Sequence, residues 1–359
     1  MKFPGLIGFC SLVVLIANTG CKDKLELNAP YKEIPSIYAV LNPDDNIQMI
    51  RINKVFLGEG DANQMAQVAD SINYPEGQLE VTLTDSKGNV NLFHDSLVKT
   101  AEGAFNPNQR VYVSSAKLKT REPYLLTVKN LHTGNVFTAR DTSLAPLSIL
   151  NTYRPFVPIY YPVPPGSAAN DDNYIDYSGQ NTSYTIRYSP NEAKLYQFVI
   201  RLHYYDSLGN GNRIDRALDY PFNNLYQKDI NIGGPNNGFL LNVFKGKDLF
   251  NAAGLALSKS TAVSGLLGRK MYKIQFFIYT STQEYLDYLE YAKPSLNISQ
   301  TKPIYSNFDK RAAMGIFSFR TSVTVEKSIS NTFISEFAYN PATCQYQFYT
   351  ASLSKPGCR

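Results

Sequence analysis

The sequence contains no tryptophan, only three histidines and only four cysteines among its 359 residues. None of the histidines, His94, His132 and His203, has a second His, a Cys or an acid at the spacing of a metal-binding motif, so we interpret them as structural. A G-x-S-x-G nucleophile motif is also missing. The sequence therefore predicts no metal site, no cofactor, no catalytic residue and no enzyme. The lack of tryptophan also weakens an expectation of sugar binding.

Charge of one sign is nowhere concentrated along the chain. The 35 Lys and Arg residues against 30 Asp and Glu give a formal net charge of +5, and the basic residues form no run. A protein that binds nucleic acid usually collects its basic residues on one patch or stripe. We therefore expect a mixed-charge, solvated surface and no nucleic-acid partner.

Three short polar motifs resemble ligand sites only superficially. The segment Gly233–Gly238 is rich in glycine, but it contains a proline and lacks the lysine of a phosphate-binding loop, so we interpret it as a loop. Asp44–Asp45 and Asp171–Asp172 offer carboxylates suited to calcium, yet neither has the alternating acids and turn glycine of an EF-hand. We interpret both pairs as solvated turns.

The start of the chain has the features of a lipoprotein leader. A positive Lys2 precedes an apolar run of about fifteen residues from Phe3 to Ala17, which suits a signal peptide better than a membrane span. Small residues then lead to Cys21, although Asn18 stands where Leu is usual. We predict a signal peptide over residues 1–20, lipidation of Cys21 and a lipidated tether over residues 21–33. An ordinary secretory peptide and an uncleaved anchor are the alternatives.

The remaining cysteines predict a disulfide. Cys10 leaves with the leader and Cys21 is used for the lipid, so Cys344 and Cys358 remain as an isolated pair in an oxidising compartment. A bridge between them would close a loop of about fourteen residues and contribute on the order of 3 kcal/mol. Zinc would need further ligands, and no histidine lies nearby. We predict a C-terminal disulfide hairpin over residues 341–359.

The predicted fold is mainly β. Leu79–Thr84 alternates apolar and polar residues, and a turn at Asp85–Asn89 leads to a returning strand. Short strands of this kind recur up to Leu144 and predict an immunoglobulin-like β-sandwich over residues 34–145. Proline and tyrosine dominate the next segment, and because proline cannot donate to a strand ladder, we interpret residues 146–180 as a linker.

A second β-rich, sandwich-like domain is predicted over residues 181–340, with one or two short helices. Lys245–Ser258 has helical periodicity, and Ser281–Glu284 fits a capping box that opens a tyrosine-rich helix. Tyr272–Tyr279 is nearly continuously apolar, which predicts a strand buried on both faces.

Two groups of residues are candidate surface sites. Tyr153, Tyr160 and Tyr161 in the linker offer apolar rings with polar tips, which suit a partner surface; packing between the two domains is the alternative. A second group consists of serines in Asp-Ser-aliphatic tripeptides of the kind that carry O-glycans, a pattern that also arises by chance: Ser71, Ser96 and Ser207.

Several motifs in the same order resemble one known family. They are Cys21 at the end of the leader, the strand Arg121–Val128, the tyrosine-rich helix Glu284–Leu289 and the segment Pro303–Phe308 that leads to Met314–Ser318. This series resembles the Bacteroidetes outer-membrane lipoprotein family catalogued as domain of unknown function 4249. The resemblance implies an accessory lipoprotein beside a TonB-dependent transporter, and it implies no catalytic residue.

The predicted location follows from the leader and the resemblance. We expect a lipid-anchored protein of the outer membrane. Lys22–Asp23 partly matches the surface-export tag of such lipoproteins, which favours display on the outer face; the inner face is the alternative. The predicted function is that of a non-enzymatic accessory or ligand-binding partner of a TonB-dependent transporter. The alternative is a structural or adhesin-like envelope lipoprotein with no small ligand. A glycan hydrolase would need two carboxylates facing each other across a cleft.

Overall fold

A computed structural model describes residues 33–55, 62–99, 106–149, 156–158, 174–175, 183–189, 191–227, 240–292, 304–354 and 358. It is mainly β, with 48% strand and 20% helix, which confirms the predicted fold class. The predicted leader and Cys21 lie outside these residues, as do Tyr153, Tyr160 and Tyr161 of the linker. Within the part of the chain that the structure describes, no helix has the length and apolar character needed to cross a bilayer.

The chain forms sixteen strands and five α-helices among the described residues. The strands are β1 Pro35–Leu41, β2 Gln48–Lys54, β3 Leu79–Asp85, β4 Val90–Lys99, β5 Asn108–Ser114, β6 Pro123–Asn130, β7 Val136–Thr142, β8 Ser148–Ile149, β9 Phe156–Pro158, β10 Tyr174–Ile175, β11 Ser183–Ser189, β12 Leu195–Leu208, β13 Arg213–Tyr226, β14 Leu240–Lys245, β15 Leu266–Ser281 and β16 Met314–Ile329. The helices are α1 Ala62–Ala66, α2 Ala69–Ile72, α3 Gly246–Ser258, α4 Gln283–Ala292 and α5 Asn331–Tyr339.

The first core lies between two layers of strands. Strand β4 connects the layers, because its residues up to Phe93 pair with β3 and those from His94 onward pair with β5. One layer runs β16-β1-β2-β5 and the other runs β3-β6-β7, with the largest buried rings between them. Strand β3 shows why the layers form: Leu79, Val81 and Leu83 are buried on one side while their neighbours face outward, so a period of two yields one apolar face.

Strand β16 belongs to both halves of the molecule. Its residues Met314–Phe319 pair in parallel with β1, whereas Arg320–Ser328 pair antiparallel with β15. Phe317 and Phe319 are buried in the first core, and Ile329 is buried in the second. The range that we assigned to the second domain therefore also supplies a strand to the first sandwich.

The second core lies between the long strands β12, β13 and β15 and the helices α3 and α5. Phe250 of α3 packs edge-on against Phe333 and Phe337 of α5, with ring centroids 5.3 Å apart in both pairs. The predicted helix Lys245–Ser258 is confirmed as α3. The described residues of this half form three α-helices, one more than expected, because α5 follows β16 directly. Ser330 begins α5, accepting a hydrogen bond from the Phe333 N–H at 3.0 Å.

The C-terminal segment is held on the edge of β15. The predicted disulfide between Cys344 and Cys358 is confirmed, with Cα atoms 5.1 Å apart. Among the described residues 341–354 and 358, Phe348 forms a parallel β-bridge with Arg269 of β15. The predicted hairpin extends over residues outside the described part of the chain and stays a prediction. The Arg269 N–H donates to the Gln347 carbonyl at 2.9 Å, and the Tyr349 N–H donates to the Arg269 carbonyl at 2.8 Å.

Candidate functional site

A cluster of tyrosines lies where helix α4 crosses the outer face of the first sandwich. None of the ten residues of α4 is buried, although the helix packs beside β16. Its tyrosines recur every three residues and so lie near one another on the helix surface. We define the tyrosine cluster by its five members, Tyr38, Tyr285, Tyr288, Tyr291 and Tyr305. Ring centroids are 6.1 Å apart for Tyr38 and Tyr288, and 5.9 Å apart for Tyr288 and Tyr305.

Two members of the tyrosine cluster, Tyr38 and Tyr288, line an open groove. Strands β1 and β2 supply most of the lining, including Tyr38 and Arg51, and Tyr288 of α4 and Ile72 of α2 complete it. The groove has a volume of about 640 Å³, within the range of small-molecule sites. Ten described residues line it, and they include the cations Arg51 and Lys54 and no carboxylate.

Hydrogen bonds fix the cationic side of the groove. The Arg51 Nε donates to the Asn53 side-chain oxygen at 2.7 Å, and its Nη2 donates to the Gln109 side-chain oxygen at 2.9 Å. The Lys54 ammonium donates to the Asp70 carbonyl at 2.6 Å, and the Asn53 amide donates to the Ile72 carbonyl at 3.1 Å. These bonds attach α2 to the end of β2, so the position of α2 relative to the floor of the groove is fixed.

Burial raises the pKa of two members of the tyrosine cluster, Tyr38 and Tyr305. Desolvation raises the pKa of Tyr38 to about 12, and a hydrogen bond with Tyr285 adds to the shift. Burial likewise raises the pKa of Tyr305, whose hydroxyl donates to the Glu284 carboxylate. Both phenols are therefore neutral at physiological pH, and their rings present an apolar face with a polar edge.

A partly buried carboxylate fixes the start of α4. The Asp141 Oδ2 accepts hydrogen bonds from the Thr282 hydroxyl at 2.6 Å and from the Phe319 N–H at 3.1 Å. Burial raises the pKa of Asp141 to about 6, although these hydrogen bonds lower it in part. Asp141 therefore connects β7 to the residue before α4 and to β16. These contacts fix the start of the helix that carries three members of the tyrosine cluster.

The candidate O-glycosylation serines are scattered over the fold. Ser71 lies in α2, Ser96 lies in the middle of β4 opposite Val111, and Ser207 lies in β12. All three are half-buried, so none stands on an exposed loop. Their glycosylation stays a prediction.

The histidines and the described acid pair lie in ordinary structural settings. His94 and His132 are exposed, and His203 Nε2 lies 2.6 Å from the Gln275 side-chain oxygen. Asp44 and Asp45 belong to a turn in which Asn42 accepts from the Asp44 N–H at 3.1 Å and donates to Asp45 at 3.0 Å. Among the residues described, no group of three or more His, Cys, Asp or Glu side chains could hold a metal ion.

Sequence reasoning located the candidate tyrosines on the linker and missed the groove. The signal that was present is the repeat of tyrosine every three residues in α4, at Tyr285, Tyr288 and Tyr291. The sequence does not reveal that Tyr38 contacts these tyrosines, because Tyr38 lies in β1, more than two hundred residues away along the chain. The groove is a product of tertiary packing.

The fold and the groove define a mainly β protein with an open, aromatic and cationic site on the outer face of its first sandwich. No family model matches the chain, and a search of the curated proteins found no match. The resemblance to the lipoprotein family therefore stays a prediction.

Proposed function

We propose that this protein is an outer-membrane lipoprotein, anchored through acylated Cys21, that binds a ligand without converting it and works beside a TonB-dependent transporter. The leader and its terminal cysteine support the anchoring. The resemblance to accessory lipoproteins supports the partnership with a transporter.

The observation that carries the binding role is the groove beside the tyrosine cluster. Paired strands form its floor, and hydrogen bonds of Asn53, Lys54 and Asp141 hold the adjacent helices in place. The groove is therefore preformed, without a bound ligand. Preformed sites bind well because little conformational entropy is lost on association. Its rings, hydroxyls and cations are groups that hold and orient a ligand.

Acylation is tested by the intact mass of the protein purified from cell membranes. We expect a mature chain that starts at Cys21 and carries fatty acyl groups. Cys21→Ala should abolish both processing and acylation, whereas the matched variant Cys10→Ala, within the leader, should leave both intact. A mature protein that retains residues upstream of Cys21, or that lacks a fatty acid, would refute the anchoring.

The partnership is tested by affinity capture from detergent-solubilised outer membranes. We expect a TonB-dependent transporter to be recovered with the wild-type protein at near-stoichiometric yield. Recovery of the acylated protein without any transporter would favour a structural or adhesin-like envelope role instead.

A further inference from the structure

We propose that the turn between β6 and β7 is a membrane-contact surface, which rests on the lipid layer that holds the acyl chains of Cys21. We define this turn surface by the residues Asn130–Val136. The inference deepens the proposed function and rests on the acylation of Cys21. It states which end of the first sandwich faces the membrane.

The chain joins the folded body at this turn. The Glu33 carboxylate accepts hydrogen bonds from the Thr133 hydroxyl at 2.8 Å and from the Asn135 amide at 2.7 Å. The Asn130 amide donates to the other oxygen of the same carboxylate. Hydrogen bonds to an ionised carboxylate are about twice as strong as neutral ones. Glu33 therefore fixes the point where the predicted tether meets the first sandwich.

The length of the tether keeps this turn near the membrane. Glu33 lies twelve residues after Cys21. An extended chain spans at most about 3.3–3.6 Å per residue, so the stretch between these two residues reaches about 40 Å at most. Tethering at such a distance gives the folded body a high effective concentration at the lipid surface. Even a weak contact is then enough to orient the molecule.

The strands direct the second half of the molecule away from the turn. Strand β1 begins two residues after Glu33, and β16 pairs with it in parallel, so β16 runs away from this end before it pairs with β15. At the opposite end of the β6–β7 pair, Arg121 forms an ion pair with Glu192 of the second half. The Ala145 N–H donates to the same carboxylate at 3.4 Å. The turn surface therefore lies at the end of the first sandwich that is opposite to the second half.

Backbone hydrogen bonds hold the turn in one shape. The Asn130 N–H donates to the Asn135 carbonyl at 2.9 Å, and the Gly134 N–H donates to the Asn130 carbonyl at 2.8 Å. The Leu131 N–H donates to the carbonyl of Gln78, the residue before β3, at 2.9 Å. A surface that is ordered in advance loses little conformational entropy on contact.

The side chains of the turn suit the interface of a lipid layer. Leu131 is 53% exposed and Val136 is 51% exposed. Exposed apolar side chains that stand singly are common and carry no function by themselves. Here two of them flank a turn that contains no acidic residue, and the carboxylate of Glu33 is engaged in hydrogen bonds. The two apolar side chains can therefore enter the headgroup region without desolvating an unpaired acid.

The absence of tryptophan makes this surface measurable, because a single introduced indole reports its own surroundings. The full-length protein carries Leu131→Trp or Val136→Trp, is purified from membranes with its acyl groups, and is reconstituted into vesicles of phosphatidylethanolamine and phosphatidylglycerol in equal parts. Bromine atoms on the acyl chains quench an indole only when it reaches them. We expect brominated lipid to lower the emission of both variants about twofold, because interfacial side chains insert about 5–10 Å into the headgroup and acyl boundary.

Matched controls lie on parts of the molecule that the proposal directs away from the lipid. Val90, at the opposite end of the first sandwich, and Leu255 of α3 are each 60% exposed. The emission of Val90→Trp and Leu255→Trp should not change with bromine. Leu131→Glu should restore most of the emission that Val136→Trp loses, whereas Leu255→Glu should not. Circular dichroism and urea unfolding verify that each variant is folded.

Three outcomes would overturn the inference. They are equal quenching at the turn and at the controls, stronger quenching at the controls, and a blue-shifted emission of Leu131→Trp that does not depend on bromine. The last would mean that the turn packs against protein, such as a second copy of the chain. If the intact mass shows an acylated Cys21 and the turn is not quenched, the contact surface falls and the anchoring stands. If Cys21 carries no acyl group, both fall together.

Discussion

The hydroxyl of Thr282 donates a hydrogen bond of 2.6 Å to the carboxylate of Asp141, and this bond connects β7, the edge strand of the first sandwich, to the residue that precedes α4. The same hydroxyl lies 2.7 Å from that of Ser318 in β16, and Ser318 is fully buried. Three segments from distant parts of the chain therefore meet at one carboxylate. The position of α4, and with it of the tyrosine cluster, depends on these contacts of Asp141.

The meeting point predicts a pH-dependent stability. The pKa of Asp141 is raised by burial from its ordinary value of 3.8 to about 6, so its contribution to stability is fully present below pH 3.8 and is lost as the pH rises through about 6. Over this window the wild type should lose about 3 kcal/mol relative to Asp141→Asn, whose side chain does not titrate. Urea unfolding of both proteins at pH 4 and at pH 7 measures the difference.

A second variant checks the cause of this effect. The Thr282 hydroxyl lowers the pKa of Asp141, so Thr282→Val should move the loss of stability to higher pH. If the difference between the wild type and Asp141→Asn is the same at both pH values, Asp141 is not the titrating group.

Gly315 is predicted to tolerate no side chain. Its φ is +106°, and a Cβ at this position would lie 2.0 Å from the Ile37 carbonyl oxygen, where β16 begins its parallel pairing with β1. Gly315→Ala should therefore destabilise the protein by about 3 kcal/mol or more, through backbone strain and displacement of β1. The midpoint of urea unfolding measures this loss.

Gly209 is the matched control for Gly315. It lies in an exposed turn, its φ is not positive, and the nearest atom to an added Cβ is 3.8 Å away. Gly209→Ala should change stability by no more than about 0.5 kcal/mol. Equal effects of the two substitutions would refute the close approach of β1 and β16.

The two arginines on Asp206 should contribute unequally. Arg269 Nε donates to Asp206 at 2.9 Å and Arg216 Nε donates at 3.1 Å, but the side chain of Arg269 is 7% exposed and that of Arg216 is 44% exposed. Arg269→Met leaves the buried carboxylate of Asp206 without its buried partner, and it should lower the free energy of unfolding by about 3–5 kcal/mol. Arg216→Met removes a solvent-screened partner and should cost about 1 kcal/mol or less.

Arg269 also attaches the C-terminal segment, because its Nη1 donates to the Tyr346 carbonyl at 2.9 Å. Arg269→Met should therefore also increase amide hydrogen exchange in the segment around Tyr346, and Arg216→Met should not. Similar unfolding midpoints and exchange rates for the two variants would contradict this assignment.

Loss of the disulfide should destabilise the same segment. Cys344 and Cys358 are 14 residues apart, and opening a loop of this size costs on the order of 3 kcal/mol in the chain-entropy account. The double variant Cys344→Ser with Cys358→Ser should show that loss in urea unfolding, and a reductant should produce it in the wild type only. A wild type that is indifferent to the reductant would count against the contribution of the bridge.

Local pattern predicted the elements of the first sandwich better than it predicted their neighbours. The alternation in Leu79–Thr84 identifies a strand with one apolar face, and the structure places it in β3. The apolar pattern of Met314–Val325 also predicts a strand. That this strand pairs in parallel with β1 at one end and with β15 at the other depends on contacts distant in sequence, which no local pattern encodes.

Aromatic residues on an outer face explain one wrong prediction. The run Tyr272–Tyr279 was expected to be buried on both faces, but β15 alternates, and Phe277 and Tyr279 lie half-buried on the outer side. Arginine guanidinium groups cover both rings: Arg201 lies 4.9 Å from the centroid of Phe277, and Arg320 lies 5.6 Å from that of Tyr279. Cation–π contacts let an apolar strand face solvent, and the spacing of the sequence does not reveal them.

Sharing β16 between the two cores sets the order in which the molecule can mature. Strand β1 is synthesised early and can pair at once with β2. Its other neighbour, β16, is available only after the chain has been synthesised as far as Phe319. Until then the N-terminal half keeps an unpaired strand edge and a gap where Phe317 and Phe319 belong, and such edges recruit other chains. Neither half can complete its core before the other, so a chaperone that shields the open edge of β1 would protect the whole protein while it folds.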